Sequence, residues 1–147
     1  METIPKRVLC IASHVVHGYV GNRAAVFPLQ VLGFDVDVIN SCQLSNHTGY
    51  PSFKGDFLSG IQLDTLVEGL QSNHLLDYDY VLTGYIRNEG FLGSVIKLLD
   101  LIKKNRPTVR YICDPVLGDH GKVIFFLPLI SSFRNTHLQS LFILSNH

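Results

Sequence analysis

The sequence predicts an α/β fold, a doubly wound and mainly parallel sheet, and three observations predict it. Short runs rich in β-branched and aromatic residues alternate along the chain with segments of helical periodicity. The intervening segments are long enough for helical crossovers, which implies parallel pairing through right-handed connections. Each strand-like run is also followed by a motif of Gly and small polar residues. An open α/β sheet builds its ligand site in such positions, outside the carboxyl ends of its strands.

The strand-like runs are 7–12 (RVLCIA), 35–41 (DVDVINS), 78–83 (YDYVLT) and 108–113 (TVRYIC). The first helix is expected from Asn22 to Leu32, with Gly33 as its terminator. Pro28 inside it removes a backbone hydrogen bond, which predicts a kinked or irregular helix. In the next helical segment Leu63, Leu66, Val67 and Leu70 recur at the spacing of one face, with Ser59 placed as the cap. The third begins at Asn88 and carries Phe91, Leu92, Val95, Ile96, Leu99 and Ile102 as its buried stripe. Lys103 and Lys104 suit its negative end, and Pro107 stops it. No internal repeat or low-complexity tract interrupts this alternation.

Composition narrows the function classes. At 147 residues, 46% hydrophobic and 16% charged, the chain is in the range of one globular domain. Twelve basic residues balance twelve acidic ones, so there is no electrostatic footprint for nucleic acid or an anionic membrane. The odd number of cysteines (Cys10, Cys42 and Cys113), all in or beside apolar runs, fits a reduced cytoplasmic setting. METIPKRVLC lacks the apolar stretch of a signal peptide, so the sequon Asn46-His47-Thr48 reads as a chance match.

Four motifs carry the chemistry: SHVVHGYVGN (13–22), SNHTGY (45–50), LTGY (82–85) and DPVLGD (114–119). The first lies between a strand and a helix, where Gly18 and Gly21 permit close backbone approach and Ser13 can exchange hydrogen bonds with a ligand. A GxxG loop alone equally fits a plain turn into a helix. His14 and His17 stand three apart but have no third ligand at metal-site spacing. Ser45 to Thr48 are four consecutive polar residues, compatible with a hydrogen-bonded turn or with a ligand face. Tyr85 is either core or a flat wall for a flat ligand. Asp114 and Asp119 bracket a Pro and a Gly, and are either two turn carboxylates or carboxylates placed near a Mg²⁺-bound triphosphate.

Together these strings resemble the ATP-dependent pyridoxal (vitamin B6) kinases of the ribokinase-like superfamily, from about Arg7 to Lys122. The resemblance implies that residues 1–122 are the N-terminal half of such a domain. Its implied activity is transfer of the γ-phosphoryl of ATP to the 5′-hydroxymethyl group of pyridoxal, pyridoxine or pyridoxamine, with Mg²⁺. By the same resemblance Ser13 contacts the substituents of the pyridine ring and Val20 lines its pocket. Thr48 contacts the ring nitrogen, His47 lies near the aldehyde side and Tyr85 stacks on the ring. Asp114 lies by the acceptor hydroxyl and the ATP phosphates, and Asp119 helps to hold the metal-bound nucleotide. YPSFKGDF (50–57) looks like the projecting β segment with which ribokinase-like proteins cover the site and often dimerise, so a homodimer is implied for the full-length family. Hydroxymethylpyrimidine kinases of the same superfamily fit SNHTGY and SHVVHGYVGN less well.

Beyond Lys122 the resemblance stops. The family's GTGD turn, which forms the anion hole and supplies the general base, has no counterpart in the sequence, and Gly55-Asp56 lacks the preceding glycine. No catalytic base is therefore assigned, and the alternative expectation is an inactive truncated remnant that at most binds vitamer or a partner subunit. Residues 123–147 are apolar without clear periodicity, and Pro128, Ser131, Ser132, Arg134, Asn135 and His137 interrupt them too often for a membrane span. A valine codon opens with the bases that open most introns, so this tail is expected to be translated intron or another gene-model artefact. On that expectation the strand at 108–113 has its next neighbour in the missing half and is left as an unpaired edge.

Overall fold

The computed structural model describes residues 4–114, together with the backbone of 118–119, 122–123 and 141–143. Along the chain run β1 (Arg7–Val15), α1 (Asn22–Val31), β2 (Asp35–Leu44), β3 (Gly55–Phe57) and α2 (Gly60–Ser72). They are followed by β4 (Tyr80–Thr83), α3 (Glu89–Asn105) and β5 (Arg110–Cys113), and then by the short strands β6 (Gly118–Asp119), β7 (Lys122–Val123) and β8 (Leu141–Ile143). Six strands form one sheet in the order β3-β2-β1-β4-β5-β8. All its pairings are parallel except β2 with β3.

From β1 the chain moves through α1 to β2 on one side, and from β4 through α3 to β5 on the other. Right-handed crossovers in opposite directions put α1 and α3 on opposite faces, which makes the sheet doubly wound. The main core lies on the α2/α3 face, where Leu9, Ile11, Ile39, Val81 and Tyr111 meet Leu63, Val67, Phe91, Val95, Leu98 and Ile102. Val8, Cys10 and Ala12 alternate with Leu9 and Ile11 and are buried on the opposite face, the side taken by α1.

The helices follow their local signals. In α2 Ser59 and Gln62 form a capping box, Gln62 N donating to Ser59 Oγ at 3.2 Å and Ser59 N to Gln62 Oε1 at 2.9 Å. Leu63 and Val67 are buried and Leu70 packs on the core, but Leu66, expected on that face, is 47% exposed. Asn88 caps α3 by accepting from Phe91 N at 2.9 Å. The stripe of α3 is buried as expected except for Ile96, which is half-buried, and it gains Leu98 and Ser94. Ser94 Oγ donates to Gly60 O at 3.0 Å, and a Cβ at Gly60 would lie 2.6 Å from Gly90 O, so α2 and α3 touch backbone to backbone.

α1 differs in kind. It continues through Pro28 and buries only Asn22, leaving Phe27 and Val31 71% and 69% exposed. Gly33 ends it at φ +87°, a conformation that suits a residue without Cβ.

Two expectations about the strands are corrected. β1 and β2 run three residues further than their apolar runs, to Val15 and Leu44, so Ser13 lies in a strand and not in the loop after it. Inter-strand pairing carries the extended backbone past the point where hydrophobic patterning fades. β5 is not an unpaired edge either: residues 141–143 add a parallel neighbour, with Tyr111 opposite Leu141 and Cys113 opposite Ile143. Val123 likewise pairs with Gly118 in the antiparallel β6–β7 pair. The interrupted apolar pattern of 124–140 lies outside the described residues.

Candidate functional site

The winding reverses between β1 and β4, which are direct neighbours, so the crevice of this sheet opens at their carboxyl ends. Four motif segments reach that end: Ser13 to Val15 as the last residues of β1 with Val16 to Gly21 after it, Ser45 to Tyr50 after β2, Gly84 and Tyr85 after β4, and Asp114 after β5. Ser13, Val20, His47, Thr48, Tyr85 and Asp114 therefore share one end of the sheet. The side chain of Asp119 and residues 115–117 lie outside the described residues.

The β1 loop folds back on its own strand. A Cβ at Gly21 would lie 2.4 Å from Ser13 O and 2.5 Å from Ser13 Oγ, and Gly21 has φ +46°. Only glycine brings the loop this close to Ser13. Val20 packs, with Phe57, on the buried cluster of Val15, Cys42 and Leu44, which joins the loop to the ends of β1 and β2. Val16 N donates to Leu44 O at 2.8 Å and His17 N to Ser45 O at 2.9 Å, so the ladder between the two motifs continues past the strands.

In SNHTGY the turn and ligand roles divide by residue. Ser45 and Asn46 close the loop: Ser45 N donates to Lys54 O at 2.7 Å, Lys54 N to Ser45 Oγ at 3.0 Å, and Asn46 Nδ2 to Ser52 O at 3.0 Å. His47 and Thr48 are left at the tip, exposed and half-buried respectively. His47 Nδ1 accepts from Gly49 N at 3.0 Å, so a neutral ring carries its proton on Nε2.

Gly84 N donates to Ile11 O at 2.9 Å and a Cβ there would sit 3.1 Å from Ala12 Cβ, so the turn into the half-buried Tyr85 hugs β1. Asp114 N donates to Thr83 O at 2.8 Å, extending β4–β5 pairing to the half-buried aspartate. Burial raises the Cys42 and Cys113 thiols above their ordinary range, as it does the Tyr111 hydroxyl. These groups are neutral supports beneath the site. Among the described residues no three His, Cys, Asp or Glu side chains are grouped as a metal site would require.

Sequence reasoning missed two features at this end. The Arg87 guanidinium lies 3.9 Å from the centroid of the Phe57 ring, linking the loop after β4 to β3. Asn22, read only as a helix start, is a buried bridge between β1 and β2. Neither has a local signature, since both depend on strands brought together from distant parts of the chain.

The mainly parallel, doubly wound sheet with polar motifs at its switch point matches the ribokinase-like fold of solved pyridoxal kinases. No family model matches the chain. It is 54% identical over 128 residues to a pyridoxal kinase of Arabidopsis thaliana, a match covering 87% of this chain and 41% of that protein. To the Homo sapiens pyridoxal kinase it is 57% identical over 113 residues, 77% of this chain and 36% of that one. The crystallised pyridoxal kinase of Leishmania donovani in complex with ADP and pyridoxine superposes with a TM-score of 0.77 at 46% identity, covering 87% of this chain and 45% of that one. Over most of its own length the chain thus matches pyridoxal kinases in sequence and in fold, and it spans about two fifths of the length of the curated relatives it matches.

Proposed function

We propose that this chain carries the vitamer-binding part of a kinase that transfers the γ-phosphoryl of ATP to the 5′-hydroxymethyl group of pyridoxal, pyridoxine or pyridoxamine in vitamin B6 salvage. One observation supports this reading most: Ser13, Val20, His47, Thr48 and Tyr85 stand together at the switch point, with Asp114 on the next strand. A pyridine ring needs a flat wall, an apolar side and a few directed polar partners. Tyr85 supplies the first, Val20 the second, and Ser13, Thr48 and His47 the third.

Mg²⁺ is held by one or two carboxylates together with substrate phosphates. Asp119 is the residue proposed to hold it, with the half-buried Asp114 beside the phosphates, and the ion would supply charge neutralisation there. Asp114, one residue past a strand fixed on both sides, would orient the acceptor hydroxyl towards the phosphates. A cytoplasmic location and homodimeric assembly belong to the same proposal. Among the described residues no helix is long and apolar enough to cross a membrane.

The 147 residues contain no GTGD turn, which favours binding of vitamer with little turnover by this chain alone. Without an anion hole and a general base, a rate loss on the order of 10² to 10⁴ is expected for each. Incubating the purified chain, free of host kinase, with ATP, Mg²⁺ and pyridoxal tests both parts. Pyridoxal binding with near-background pyridoxal 5′-phosphate formation is the expected result. Robust product would overturn the binding-only reading, and absence of pyridoxal binding would overturn the vitamer site.

A further inference from the structure

The pairing of β1 with β2 is continuous from Arg7 opposite Asp35 to Ala12 opposite Asn40, and then Ser13 stands opposite Cys42. Ser41 is therefore an extra residue on β2, a bulge in a parallel pair. Such bulges re-aim side chains beside sites, and each displaces everything after it by one position. Here it lies immediately before Ser13 on one strand and a few residues before His47 and Thr48 on the other.

The backbone on either side of the bulge is gripped by one side chain. Asn22 Nδ2 donates to Ala12 O and Ile39 O, both at 3.0 Å, and to Asn40 Oδ1 at 2.9 Å. Two backbone carbonyls around a single nitrogen also fix the amide's orientation, because the reverse flip would set oxygen against both. Asn22 is 2% exposed, and its own Oδ1 and the Ser41 Oγ are buried with no hydrogen-bond partner among the described residues. Burying two polar atoms unsatisfied is costly, and a residue serving only as the first turn of α1 has no need of it. The next residue back, Gly21, is the one whose backbone packs on Ser13.

We infer that Asn22 is a positioning residue of the ligand site: its side-chain amide locks the Ser41 bulge and so sets Ser13 in register against the segment that carries His47 and Thr48. The ligand's identity rests on the vitamer reading above, but the register claim does not.

The experiment uses the full chain and the variants Asn22→Ala, Ser13→Ala and their combination, with pyridoxal titration, thermal unfolding and NMR cross-strand contacts between residues 13 and 42. For folded Asn22→Ala a roughly tenfold or greater weakening of pyridoxal is expected, with loss of the Ser13–Cys42 contacts. The double variant should bind no worse than Asn22→Ala, because Ser13 is already misplaced. If Asn22→Ala does not fold, Asn40→Ala removes one acceptor only and is read the same way, with a smaller effect. Wild-type affinity together with an intact Ser13–Cys42 register in the folded variant overturns the inference, as do fully additive losses. If the wild-type chain binds no pyridoxal, the vitamer reading fails. The register then decides alone: its loss upholds the positioning role and its retention overturns it.

Discussion

Thr83 Oγ1 and Tyr111 OH lie 2.6 Å apart, fully buried, on the neighbouring strands β4 and β5. β4 ends at Thr83 and β5 at Cys113, just before Tyr85 and Asp114, so this hydrogen bond fastens together the two strand ends that present the ring wall and the aspartate. Thr83→Val deprives the Tyr111 hydroxyl of one partner inside the core and should cost about 1 to 3 kcal/mol. Urea unfolding of Thr83→Val, Tyr111→Phe and the double variant measures it. The double variant should lose less than the sum of the singles, and strict additivity would mean that the two hydroxyls do not act on each other.

The three thiols should be chemically quiet in the native protein. Burial raises Cys10 to about 11 and also raises Cys42 and Cys113, so little thiolate forms near neutrality. A disulfide reagent at pH 8 should label none of them until the chain is unfolded. Because the folded Cys10 value exceeds its ordinary value of 9.0, its contribution to stability is full below pH 9 and is lost as pH rises towards about 11. Denaturation midpoints should fall across that window, and Cys10→Ala should flatten the fall.

At the opposite end of the sheet Arg106 binds Asp77 at 2.6 Å and also pairs with Asp79. The Arg106 hydrogen bond holds the Asp77 carboxyl below its ordinary value of 3.8. Stability from this pair is present above that value and disappears as pH falls below it. Arg106→Gln should lower the melting temperature slightly at pH 7, both partners being partly exposed, and should make a smaller difference at pH 2. A change of equal size at both pH values would point to packing and not to charge.

Tyr85→Ala removes the proposed ring wall. A loss of about 1 to 3 kcal/mol in pyridoxal binding is expected from stacking and burial. Indistinguishable titrations for the two proteins would remove Tyr85 from the pocket.

The pairing of residues 141–143 with β5 predicts that the full chain unfolds at a higher temperature than residues 1–122. Deleting the tail exposes one side of β5 and invites association through that edge. Equal melting temperatures with equal solubility would show that the tail adds nothing. A sharp transition for a soluble full-length monomer would mean that it completes a real domain and that the artefact reading should be dropped.

Much of this protein is determined locally and could be read in one dimension. The Ser59 and Asn88 caps, the stripe from Phe91 to Ile102 and the Gly-containing motifs each rest on residues within a few positions of one another. Short-range hydrogen bonding and helical spacing are enough to specify them. Alternation of strands and helices implied the winding, and the winding carried the motifs to one end of the sheet.

Register was another matter. Nothing near Ser41 marks it as an extra residue, nothing near Asn22 marks it as the bridge between two strands, and 141–143 have no pattern that names β5 as their neighbour. Those facts depend on backbone groups from segments far apart in the chain competing for the same partners. Only the assembled sheet brings the carbonyls of two strands within reach of a single buried amide.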